Sequence, residues 1–153
     1  MMPRPLLLVH SPLVGPSSLE RLAQVAKLAG HVTALPDLTG LAGAPNPHAH
    51  YVDRAAAAGL NLPSQPVAIG HLGAGAFLPA IAARLASSML VVFLDAVIPP
   101  PNGPYRNSPQ FLEFVASKRE GDRLLQWLDW WPKDAAPLTE PDQVFEAVSE
   151  IFD

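Results

Sequence analysis

A chain of 153 residues has the length of one domain, long enough to bury a core and short for two. Hydrophobic residues make up 49% of it and charged residues 16%, so more apolar surface is expected than one compact monomer hides, which favours self-association. Ten Lys+Arg against 14 Asp+Glu give a net charge of −4 with no basic run, so nucleic acid is not an expected partner, and without Cys there is no disulfide framework or thiolate chemistry, as fits a reducing cytoplasm.

The apolar run Leu6-Leu7-Leu8-Val9 is too short for a signal-peptide core or a membrane span, and its bounds, Pro5 and Ser11-Pro12, predict a strand covered on both faces. Ser17 or Ser18 then precedes Leu19, Leu22, Val25, Ala26 and Ala29 on one helical face, and Gly30 marks the helix end. Residues 32–35 predict a second strand, residues 49–58 a helix closed by Gly59, and residues 66–69 a third strand. A sharp Gly-rich turn leads into a helix over residues 77–85, followed by the most β-prone segment, residues 89–94. Alternation at this spacing predicts an α/β fold with an open parallel sheet of about four strands in the order 2-1-3-4 and flanking helices. The Pro-rich run from Ile98 to Pro104 ends that pattern, and residues 111–118, 122–131 and 141–152 predict three helices. The whole of 1–153 thus reads as one domain, with a sheet core over 1–100 and a helical, lid-like segment over 101–153.

Three stretches carry a family resemblance: Leu6 to Gly15 with its His10-Ser11-Pro12, then Gly70-His71-Leu72-Gly73-Ala74-Gly75, then Val91-Val92-Phe93-Leu94-Asp95-Ala96. Together they resemble the α/β-hydrolase family, over roughly residues 5–100. The resemblance makes the first stretch the strand and oxyanion loop, the second the G-x-S-x-G nucleophile elbow, and the third the strand after the elbow helix. It also makes residues 101–153 resemble the family's lid.

The departures from that pattern concern chemistry. Leu72 stands where the nucleophilic Ser belongs, and a leucine side chain has neither a lone pair to attack a carbonyl nor a proton to give up. No His follows His71, so no position matches the family's catalytic base, and Pro12 removes an N–H from the oxyanion loop. The expected protein is therefore non-hydrolytic and binds a small apolar ligand or a protein partner, with Leu72, Leu13, Pro12, Trp127 and Trp131 lining the pocket. The alternative is an enzyme of altered mechanism, of cyclase, lyase or isomerase type, using inherited acid–base groups.

For that alternative the candidate catalytic residues are His71, His10, Asp95 and Ser11. In a 2-1-3-4 sheet the first and third strands flank the topological switch point, so His10 and His71 fall at the rim where such folds bind ligands. Both also suit a framework role, satisfying backbone groups near the turns. Ser11 is a possible displaced nucleophile with His71 as base, and Asp95 an orienting acid or a loop anchor. His48, His50 and Asp53 read as solvated or capping residues at a helix start, so no metal or cofactor is expected. The Trp127, Trp130 and Trp131 face, with Leu124, Leu125 and Leu128, reads as packing over the crevice or against another subunit. An apolar fourth strand at the sheet edge, Val91–Leu94, together with the C-terminal helices, makes a homodimer the expected assembly and an unlike partner the second choice.

Overall fold

The structure, a computed structural model, describes residues 3–86, 89–125 and 127–130. Four parallel strands, β1 (Leu6–Val9), β2 (Thr33–Ala34), β3 (Val67–His71) and β4 (Val91–Leu94), form one sheet in the order β2-β1-β3-β4. The sheet is crossed by helices α1 (Ser17–Leu28), α2 (Pro47–Leu60) and α3 (Leu78–Leu85), so the α/β architecture and strand order read from the sequence are those observed.

Because successive strand residues point to opposite faces, β1 builds two cores at once. Leu7 and Val9 face α2 and α3, where they meet Val52, Ala55, Leu78 and Ile81, whereas Leu8 faces α1 and packs on Leu19 and Ala23. Both β1 neighbours are in register with it, Leu7 pairing with Ala34 on one side and Ala68 on the other, so its backbone is satisfied without water. Helix α2 approaches closely enough that a Cβ at Gly59 would lie 2.8 Å from the Leu85 side chain. Its start is set by Asn46, whose side chain accepts from the Ala49 N–H, with Pro47 supplying a preset first helical turn.

The face carrying Val92 and Leu94 is less covered than the α2/α3 face, and both of these residues remain 39% exposed. Strand β4 has one paired neighbour among the described residues.

Beyond β4 the chain forms α4 (Pro109–Ala116), capped by the Ser108 hydroxyl accepting from the Phe111 N–H. The helix expected over 122–131 is not formed. Instead β5 (Arg119–Glu120) and β6 (Arg123–Leu124) make an antiparallel hairpin, followed by a 3-10 turn at Trp127–Trp130. The Gly121-Asp122 pair decides it: Gly121 takes φ 65°, the left-handed backbone that a two-residue hairpin turn needs. That local turn chemistry overrides the helical spacing of Leu124, Leu125 and Leu128. Trp130 is buried, stands edge-on to Phe114 and donates its indole N–H to the Leu125 carbonyl at 2.8 Å. The helix expected over 141–152 lies outside the described residues. No helix among the described residues is long and apolar enough to cross a membrane.

Candidate functional site

The carboxyl ends of β1, β3 and β4 form one rim. At the end of β3 the chain turns at Leu72 into a 3-10 segment, Leu72–Phe77, and Leu72 itself has φ 51°. A non-glycine residue in that region costs roughly 1–2 kcal/mol, so surrounding structure must hold it there. Two contacts do so. The Leu72 carbonyl accepts from the Val97 N–H at 3.0 Å, and a Cβ on Gly75 would fall 1.9 Å from the Val97 carbonyl oxygen. The loop after β4 thus locks against the turn after β3, and only glycine at 75 permits the approach. Asp95 sits in the same loop with φ 45°, so two strained residues follow directly on the paired strand ends His71 and Leu94.

His71 and Asp95 are brought together here. The imidazole Nδ1 of His71 is buried with no hydrogen-bond partner. Burial pushes the His71 pKa below the ordinary value, and the Asp95 carboxylate opposes that shift.

His10 and Ser11 sit differently. His10 is 1% exposed, and both ring nitrogens are engaged: Nδ1–H points at the Ser11 and Val14 carbonyls, each at 2.9 Å, while Nε2 accepts from the Leu38 N–H at 2.9 Å. This network assigns the neutral Nδ1–H tautomer and leaves no lone pair for proton transfer. Ser11, 2% exposed, accepts from the Leu13 N–H through its hydroxyl at 3.2 Å, and its carbonyl accepts from the Val14 N–H at 3.2 Å. With Pro12 lacking an N–H, residues 12, 13 and 14 of this loop have no backbone donor left to hold an oxyanion.

A cavity of about 290 Å³ opens beside this loop. One wall is the β1–α1 loop with His10, Ser11, Pro12 and Val14; the second is the β2–α2 loop from Leu38 to Ala42. The third wall is aromatic, with Tyr51 and His48 from the start of α2 and Phe77 from the end of the 3-10 segment. Phe77 lies 4.6 Å from the Tyr51 ring and 5.7 Å from the His48 ring, tilted by 44° and 41°. The Tyr51 hydroxyl donates to the His10 carbonyl, and burial raises the Tyr51 pKa, so the phenol stays protonated. Asp37 accepts from both the N–H and the hydroxyl of Thr39, which lowers the Asp37 pKa, and Arg54 donates to the Thr39 carbonyl.

Of the residues expected to line a pocket, Pro12 does so. Leu72 and Leu13 are not among the residues that line this cavity, nor are His71 and Asp95. The reason is that Ser11 and Pro12 pack against the turn after β3, within 3.2 and 3.5 Å of where a Cβ on Gly73 would stand, and divide the rim into a cavity side and a turn side. Trp127 belongs to the 3-10 turn, with its side chain outside what the structure describes, and Trp131 lies outside the described residues. His48, His50 and Asp53 do not converge: Asp53 pairs with Arg84 at 2.8 Å, and no group of three or more possible metal ligands occurs among the described residues.

Sequence reading missed Tyr51, Phe77 and Leu38 as wall residues. Tyr51 carried a signal, since it is a hydroxyl-bearing aromatic on the apolar stripe with Val52 and Ala55. Comparison with protein-family models, with curated proteins and with solved structures gave no match to this chain.

Proposed function

We propose that this chain is a non-hydrolytic, α/β-hydrolase-like protein that binds a small apolar ligand in the cavity beside the β1–α1 loop. The observation that carries the reading is the turn at Leu72. Its φ of 51°, its carbonyl bonded to Val97 and the Gly75 contact keep the strained geometry of a nucleophile elbow, with an apolar side chain at the position of attack. The β1–α1 loop supports the same reading, because the Leu13 and Val14 N–H groups are already bonded to Ser11 and Pro12 has none, which leaves these residues no backbone donor for an oxyanion. Aliphatic and aromatic walls beside that loop suit a small-molecule site.

Leu72→Ser tests the proposal against short-chain nitrophenyl esters and a fluorophosphonate label. The expected result is no label and no turnover above the wild type. Efficient ester hydrolysis by the variant would sink the proposal, since it would reveal a working base and oxyanion site.

One observation favours a second reading, acid–base catalysis on the elbow side. The His71 Nδ1 is buried without a partner beside Asp95, and burial favours the neutral imidazole, the form that can act as a base. His71→Ala separates the two readings, since it leaves ligand affinity at the cavity unchanged under the first and abolishes turnover under the second.

A further inference from the structure

Resting on the binding reading, we infer that the cavity selects an uncharged molecule of monocyclic size, apolar over most of its surface and bearing one hydrogen-bonding oxygen. Size comes from the volume: about 290 Å³ lies at the low end for ligand pockets and accommodates roughly ten to fifteen non-hydrogen atoms.

Charge selection follows from the walls. Among the described residues no Lys, Arg, Asp or Glu lines the cavity. Three lining side chains can ionise, and two of them are committed: His10 through both nitrogens, and Tyr51 as a protonated phenol bonded to the His10 carbonyl. A carboxylate or ammonium entering this space would lose water without gaining a fixed charge as partner, which disfavours it against a neutral molecule of the same size.

Shape and the single polar contact follow from the aromatic wall. The tilted rings of Tyr51, Phe77 and His48 present a concave surface that a ring or branched hydrocarbon fills, opposite Pro12, Val14, Leu38 and Leu41. His48 is exposed at the cavity margin and its imidazole makes no hydrogen bond among the described residues, so it supplies the polar contact. The walls do not depend on a ligand for their spacing. His10 Nε2 to Leu38, Tyr51 to the His10 carbonyl, and Thr39 to both Asp37 and Arg54 tie the three wall segments to one another.

Benzyl alcohol, benzoate and benzylamine, nearly equal in size and differing in charge, test this by ¹H–¹⁵N NMR titration of the full chain. Benzyl alcohol is expected to bind at least about tenfold more tightly than either ion, with shifts centred on Leu41, His48 and Tyr51. Ala42→Trp, on the exposed loop wall, plugs the site and is expected to abolish those shifts without changing Tm. Tighter binding of either ion, itself lost in Ala42→Trp, would overturn the charge selection and leave the binding reading standing. Binding of all three with equal strength, shifts insensitive to the plug, or no binding of any probe at millimolar concentration would each overturn the inference. The Leu72→Ser ester assay judges the non-hydrolytic reading separately.

Discussion

The two sides of the rim solve the same problem, how to end a buried strand, in opposite ways. At the end of β1 every polar group found is answered: His10 uses both nitrogens, Ser11 both its oxygens, and Tyr51 closes over the His10 carbonyl. At the ends of β3 and β4 the chain instead carries two left-handed non-glycine residues, Leu72 and Asp95, and a buried nitrogen on His71 with no partner. Saturated hydrogen bonding makes a fixed wall, suited to holding a cavity open. Strain held by a neighbouring loop makes a turn whose shape depends on the contacts of Val97 with Leu72 and Gly75. The cavity and the strained turn after β3 are therefore separate features of one rim.

The sharpest way to break the elbow side is Gly75→Ala. Its Cβ would fall 1.9 Å from the Val97 carbonyl, a backbone atom that cannot swing aside, so the loop after β4 must detach. A loss of about 3 kcal/mol is expected in urea unfolding. A loss below about 1 kcal/mol would mean that the clamp on Leu72 is slack. On the β1 side, His10→Leu keeps the volume near and removes all three hydrogen-bond contacts of the imidazole, which takes the ring nitrogens away from the Leu38 N–H and the Ser11 and Val14 carbonyls. The expected cost is about 2 kcal/mol, together with loss of probe binding as the Leu38 wall shifts. Unchanged stability would show that His10 is dispensable to the wall.

The sheet was legible in the sequence because each strand is a short apolar run bounded by Pro, Gly or Ser, and each helix carries one apolar stripe. The sharp turn after β3 was legible through its glycines, although the sequence could not say which contact each one serves; Gly70 makes room for Leu78, Gly73 for Ser11 and Gly75 for Val97. The cavity was not legible. Its walls come from residues 10–15, 38–42, 47–51 and 77, far apart along the chain and joined by tertiary hydrogen bonds that no periodicity encodes. Leu72 was expected among pocket-lining residues, whereas the cavity beside the β1–α1 loop is lined by others because Ser11 and Pro12 stand between it and the turn at Leu72. The hairpin at Gly121 was missed for the opposite reason, since a local turn signal was present and a longer helical spacing was given more weight.

The strain at Leu72 is itself measurable by comparing Leu72→Gly with Leu72→Ala. Both variants remove the same half-buried side chain, so their difference isolates the backbone. In an exposed helix position such as Gln24 of α1, alanine is expected to be the more stable of the pair by about 1 kcal/mol. At φ 51° the order should reverse, with glycine ahead by about 1 kcal/mol, because a Cβ is what the left-handed region penalises. Urea midpoints of the four variants give both differences directly. Alanine equal to or ahead of glycine at 72 would mean that the turn relaxes out of the left-handed region once leucine is gone. The strain would then belong to the leucine side chain and its packing, and the elbow would not be a shape imposed on position 72 by Val97 and Gly75.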